Sequence, residues 1–207
     1  MKTHYKLDGS YTPTFEAISK AGGSRAVTDI QTKADKLYAD FLPKHSNLGS
    51  MAAMHWKQCC ERAAIYLSIK DVYPENALEW VELSSKAHGE QVGASISKTM
   101  KLSGMKRLFI PMMKKIANMM FGRKAGFENR LISYDQESIR FDILRCPYCI
   151  YLAELGCPEL TGSFCRSDEY AYGSLDAMEF KRTQTLGTGG SRCDFYMARK
   201  SMEGRVK

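Results

Sequence analysis

Ser138-Ile139-Arg140-Phe141-Asp142-Ile143-Leu144-Arg145 alternates apolar and polar side chains. Ile139, Phe141 and Ile143 fall on one face and Arg140 and Asp142 on the other, as in a half-buried strand. Phe127 to Tyr134 can pair with it through the Asp135-Gln136-Glu137 turn. Further on, Met178–Leu186 and Arg192–Arg199 read as two more strands, with Thr188-Gly189-Gly190-Ser191 as a hairpin signal between them. Two short helices are expected before that pair, one from Pro147 to Gly156 and one starting at Pro158, because proline suits a first helical turn and glycine a helix end.

Upstream of Gly126 the pattern is helical. From Met51 to about Lys70, Trp56, Cys60, Ala63 and Leu67 share a stripe. A second helix is expected from Pro74 to near Met100, weakened in its later half by Gly89 and Gly93. Helices segregated from strands mean an α+β fold rather than a doubly wound sheet. At 207 residues, a single α+β domain over 1–207 is expected, mainly helical over 1–125 and mixed over 126–207. A chain of that length buries roughly 70% of its unfolded surface and needs no disulfide or metal to fold.

Hydrophobic residues make up 44% and charged residues 26%, which excludes a disordered tail or a fibre. No run is long and apolar enough to span a bilayer, and Met1–Gly23 lacks an apolar signal core. A cytoplasmic location is therefore expected, and the odd count of seven cysteines fits reduced thiols.

The formal net charge is +7, and it is concentrated. Lys98, Lys101, Lys106, Arg107, Lys114, Lys115, Arg123 and Lys124 occur between 98 and 124 without one acidic residue. Apolar residues recur there at helical spacing, with Pro111 inside the pattern, where a helix either begins or bends. Two readings stand: a core helix with a solvated basic face, or an amphipathic element that touches a membrane or covers an anionic site. The first is the commoner outcome of such a pattern. No nucleic-acid motif is present, so a nucleic-acid partner is not expected.

Chemistry is most readable after Cys146. Cys146-Pro147-Tyr148-Cys149 is a CxxC; Cys157, Cys165 and Cys193 follow. A zinc site from Cys146, Cys149, Cys165 and Cys193 lacks the second close pair that thiolate sites normally bring, so no cofactor is required and zinc is the lesser alternative. Cys165 and Asp168, at i and i+3, share a helical face. Cys193 and Asp194 are adjacent on a strand and point to opposite faces. Arg182 offers a planar fork for a carboxylate, and Thr183 and the backbone near Gly189 offer hydrogen bonds. His55 and His88 are lone helical histidines, more in keeping with structural or exposed positions than with catalysis.

Four ordered blocks of this region resemble the L-2-amino-thiazoline-4-carboxylic acid hydrolase family: Phe141–Pro147, Glu154–Leu160, Phe164–Asp168 and Arg182–Phe195. Gly187 stands where the family pattern has alanine, and Cys149 and Cys157 lie outside the pattern. The resemblance implies a hydrolase of bacterial cysteine and sulfur metabolism that opens a small cyclic amidine to a carbamoyl-cysteine. By position it marks Cys146, Glu159, Cys165, Asp168, Arg182, Thr183, Gly189, Cys193 and Asp194 as site residues. Asp168 would bind the exocyclic amine or orient water, and Arg182 would hold the substrate carboxylate. Either a thiolate or a carboxylate-positioned water attacks the ring carbon, with Cys165 the first choice of nucleophile and Cys193 the second. Cys146, Glu159, Thr183 and Gly189 would line the substrate. The rival is a non-catalytic small-molecule-binding or sensor domain with a cysteine-lined pocket.

Overall fold

The computed structural model describes residues 4–5 and 9–200. Two compact units emerge, each built from two stretches of chain: 1–88 with 147–166, and 89–146 with 167–207. The change of composition near residue 126 marks where strands begin, not where these units divide.

The first unit is helical. Helix α1 (Thr12–Phe41), broken at Gly23, packs along α2 (Ser50–Lys70), and α2 packs against α5 (Pro147–Glu154). The stripe read on α2 is real: Trp56, Cys60 and Ala63 are buried, with Leu67 partly so. Thr14 Oγ1 lies 2.7 Å from the Trp80 carbonyl and 2.6 Å from Ser84 Oγ, satisfying polar groups that burial would otherwise leave unpaired. The next helix, α3 (Ala77–Met100), starts three residues later than Pro74, the expected start. The Asn76 N–H closes a turn onto the Tyr73 carbonyl, and the Asn76 carbonyl accepts from the Trp80 N–H, so the helical ladder begins only there. Helix α6 (Thr161–Tyr172) continues directly from a 3-10 turn at Pro158–Leu160, so the proline-initiated segment carries on into a full helix. Both α3 and α6 begin in the first unit and end in the second.

The second unit holds a four-stranded antiparallel sheet in the order β1-β2-β4-β3. Its strands are β1 (Glu128–Tyr134), β2 (Ser138–Arg145), β3 (Met178–Lys181) and β4 (Cys193–Arg199). Ile139, Phe141 and Ile143 of β2 and Cys193, Phe195 and Met197 of β4 form the buried face. Phe141 and Phe195, directly opposite in register, stack with ring centroids 4.9 Å apart. Helix α4 (Met105–Met120) covers that face through Phe109, Ile110, Met113 and Ala117. Pro111 lies within it, so the helix runs through the proline rather than starting there.

Strand β3 is shorter than its apolar pattern indicates, ending at Lys181 instead of Leu186. The next residues leave the ladder because the Asp194 carboxylate captures the Thr183 and Gln184 N–H groups, each at 2.9 Å. A loop with a 3-10 turn at Leu186–Thr188 therefore replaces the tight hairpin expected at Thr188–Ser191.

Glycines 89 and 93, which weaken α3 in isolation, have a packing reason. They face the part of α6 that shares their unit. A methyl group on Gly89 would stand 2.6 Å from Tyr170 Cβ, and one on Gly93 2.7 Å from the Ala171 carbonyl oxygen. Helix propensity alone favours alanine at Gly89 by about 1 kcal/mol. The close crossing predicts the opposite sign: Gly89→Ala loses about 1–3 kcal/mol in urea unfolding. A stabilised variant would contradict the crossing.

Candidate active site

The site is built around Arg182, the first residue beyond β3. Alternation along the strand turns Lys181 outward and Arg182 toward the face that carries Phe180 and Phe195. Its guanidinium lies 5.2 Å from the Phe195 ring centroid, and the side chain is only 2% exposed. A cation so enclosed needs carboxylates. Helix α6 supplies two in succession: Nη1 donates to Asp168 Oδ2 at 2.9 Å and Nη2 to Glu169 Oε1 at 2.8 Å.

The two carboxylates differ. Glu169 is 54% exposed, so its arm of the fork is open to solvent and to exchange. Asp168 is 29% exposed and more crowded. Desolvation pushes its carboxyl up to about 6, against the pull of Arg182 and with Glu169 adding to the rise. A purely structural ion pair ordinarily lowers a carboxylate's pKa. Here the folded state holds the Asp168 proton more tightly than the unfolded chain does, so stability falls as pH rises from about 4 to about 6. A group ionised at such a cost, with an accessible edge, has the character of a working residue. Tyr172, one turn further along α6, is pushed up to about 12 by burial and by the Asp168 charge.

The loop after Arg182 is tethered by Asp194. Its carboxylate accepts from Thr183 N, Thr183 Oγ1 (2.5 Å) and Gln184 N. Desolvation opposes ionisation there, but these donors win and hold the Asp194 carboxyl below its ordinary value. Gly189, at φ +88°, closes the 3-10 turn in the left-handed region, and Gly190 N donates to the Thr185 carbonyl at 2.8 Å. Cys193 is 5% exposed, and its Sγ accepts from the Leu186 N–H at 3.3 Å. Thr183 and Asp194 thus anchor the segment that positions Arg182. They also line a recess of about 550 Å3 on the outer face of the sheet, with Arg140, Asp142, Lys181, Arg192 and Tyr196. Asp142, read as outward-facing, is on that face but only 6% exposed, because Arg130 at 3.1 Å and Arg192 at 3.5 Å cover it.

The remaining candidates are distributed. Cys146, just beyond β2, lies in the second unit with Cys193, whereas Cys149 and Cys165 lie in the first. Cys165 is partly buried on α6, one turn before Asp168 in the same helix. Glu159 is in the first unit, 2.6 Å from both Tyr66 Oη and Lys70 Nζ. Those donors outweigh desolvation and lower its carboxyl, and they tie the turn before α6 to α2. Burial pushes Cys157 up to about 12 and also raises Cys59 and Cys60, so these thiols stay protonated and unreactive. His55 is buried, 2.6 Å from Tyr148 Oη, a structural position. Among the described residues, no group of three or more His, Cys, Asp and Glu side chains is arranged to hold a metal ion.

The sequence reading marked Asp168 and Arg182 but missed Glu169 and Tyr172. The signal for Tyr172 was its i+4 spacing from Asp168 on a helix. Glu169 carried none beyond its position next to Asp168.

The family model for L-2-amino-thiazoline-4-carboxylic acid hydrolase matches residues 53–197. The chain belongs to that family. The match includes Asp168, Glu169, Tyr172, Arg182 and the Asp194 tether, so the whole constellation lies within the hydrolase family's span. No curated protein and no solved structure matches the chain.

The tether gives a direct expectation. Asp194→Ala removes the acceptor of three hydrogen bonds and costs about 1–2 kcal/mol near neutral pH. The wild-type advantage is full above the ordinary carboxylate range and fades as acid protonates Asp194, its folded value being the lower one. Urea unfolding of both proteins across that range checks the cost and its sign.

Proposed function

We propose that the protein hydrolyses a small cyclic amidine carrying a carboxylate, of the 2-amino-thiazoline-4-carboxylate type, to a carbamoyl-cysteine. The observation that carries this reading is the Asp168 carboxyl, raised to about 6, part-exposed, and held at one oxygen by the buried Arg182.

The ring carbon between nitrogen and sulfur is electrophilic. In the ionised form, Asp168 orients a water and accepts its proton as the oxygen adds to that carbon. The tetrahedral adduct then collapses. Breaking the carbon–sulfur bond, with the proton returned from Asp168 to the departing sulfur and the adduct's hydroxyl proton passed to the former imine nitrogen as the carbonyl forms, gives N-carbamoyl-cysteine with a free thiol. Breaking the ring carbon–nitrogen bond instead would give the S-carbamoyl isomer of the same mass. A base with a value near 6 is well matched: it is ionised at neutral pH yet still basic enough to accept a proton in the transition state.

Arg182 both positions and binds in this scheme: its Nη1 fixes the Asp168 carboxylate. Its Nη2 is pre-paired with the half-exposed Glu169. A substrate carboxylate can take over that donor as Glu169 swings into solvent, so the buried cation is never left unpaired. The tether of Thr183 to Asp194 keeps Arg182 at the end of β3 while this exchange occurs.

Incubation of the purified protein with 2-amino-thiazoline-4-carboxylate should yield a product heavier by one water, with thiol release distinguishing the two isomers. The profile of kcat/KM should fall on the acid side with a midpoint of about 6 as Asp168 takes up its proton. Asp168→Asn should lose at least about 100-fold in kcat with the fold retained. Cys165→Ser keeps turnover if water is the nucleophile; its loss in a folded variant would put the thiolate there instead. Binding without turnover in the wild type would favour a sensor domain.

A further inference from the structure

Helix α4 is apolar over more of its circumference than the sheet covers. At about 100° per residue, its apolar positions span an arc of about 200°. Phe109, Ile110, Met113 and Ala117 take one half of that arc and are buried on the sheet. The other half is open: Leu108 is 54% exposed, Met112 40% and Met119 52%, at spacings of four and seven residues. Leu102, in the turn leading into the helix, is also 63% exposed. Contiguous apolar side chains left in water on one helix mark a docking surface rather than ordinary surface composition.

The charge around the stripe identifies the occupant. The eight basic residues between 98 and 124 have no acidic neighbour in that stretch. Lys114 lies over the Tyr134 ring, and among the described residues none of the eight forms an ion pair. Uncompensated charge of one sign concentrated in one stretch fits a partner that is uniformly anionic and extended. The exposed stripe is a ridge of flexible methionine and leucine side chains, which suits insertion among acyl chains. We infer that α4 docks the protein on an anionic lipid surface, with Leu108, Met112 and Met119 entering the interface, Lys115 beside them, and the long basic side chains of the polar face reaching lipid phosphates. No helix among the described residues is long and apolar enough to cross a membrane, so the contact is peripheral. Two weak signals, shallow apolar insertion and charge attraction, act together, and losing either should release the protein.

The test is vesicle flotation of the full chain at low ionic strength. Phosphatidylcholine vesicles with about one-third phosphatidylglycerol should carry the protein up, pure phosphatidylcholine should not, and raising the salt should release it. Leu108→Ser/Met112→Ser/Met119→Ser leaves the charge intact and removes only exposed groups; it should weaken binding by about tenfold or more. Arg107→Gln/Lys115→Gln leaves the stripe intact and should weaken it by about thirtyfold. The thermal midpoints of both variants should match the wild type. The inference is overturned if the wild type fails to float, if it floats equally on neutral vesicles, or if the serine variant binds undiminished. It is also overturned if the stripe instead mediates a dimer that the serine substitutions dissolve while lipid binding is absent.

Discussion

A guanidinium enclosed to 2% exposure must be neutralised, and that requirement organises the second unit. Arg182 sits beyond β3 with aromatic rings beside it, and α6 meets it with two adjacent carboxylates. The glycines of α3 allow the backbone of α6 to come close, which sets where those carboxylates stand. The Asp194 clamp on Thr183 and Gln184 determines where β3 ends, and so where Arg182 begins. Sheet register, helix crossing and loop tether thus converge on one ion pair.

That pair is unequal in a way that suits chemistry. The same cation serves a solvent-facing glutamate and a crowded aspartate, and desolvation outweighs it at the aspartate. The Asp168 carboxyl is therefore raised despite a contact of 2.9 Å to a positive charge. Asp194, with neutral donors and a more open setting, moves the other way. Two aspartates of the family span are separated by environment into one whose carboxyl is raised and one whose carboxyl is lowered.

What the sequence disclosed follows the range of the forces involved. Strands β1 and β2, with the buried set Ile139, Phe141 and Ile143, were legible because alternation is local. The end of β3 was not, because it is decided by a side chain eleven residues away that takes N–H groups from the ladder. Glu159 was marked by the family likeness alone, and its partners Tyr66 and Lys70 lie 93 and 89 positions earlier, a distance no spacing rule bridges. The basic stretch at 98–124 divided into core helix or surface element on pattern alone. The structure shows a helix doing the first on one half of its apolar arc while leaving the second half exposed. Asp168 and Arg182 were marked together only through the family likeness; their pairing depends on tertiary placement of α6 beside β3.

The chemistry of this site depends on the state of one carboxyl group. A carbon-13 NMR titration of the Asp168 side chain, assigned by comparison with Asp168→Asn, measures it without substrate or turnover. The structure predicts a midpoint near 6, set by enclosure at the side of Arg182. A midpoint at or below the ordinary aspartate value of about 3.9 would contradict the claim that enclosure prevails over the arginine at this position.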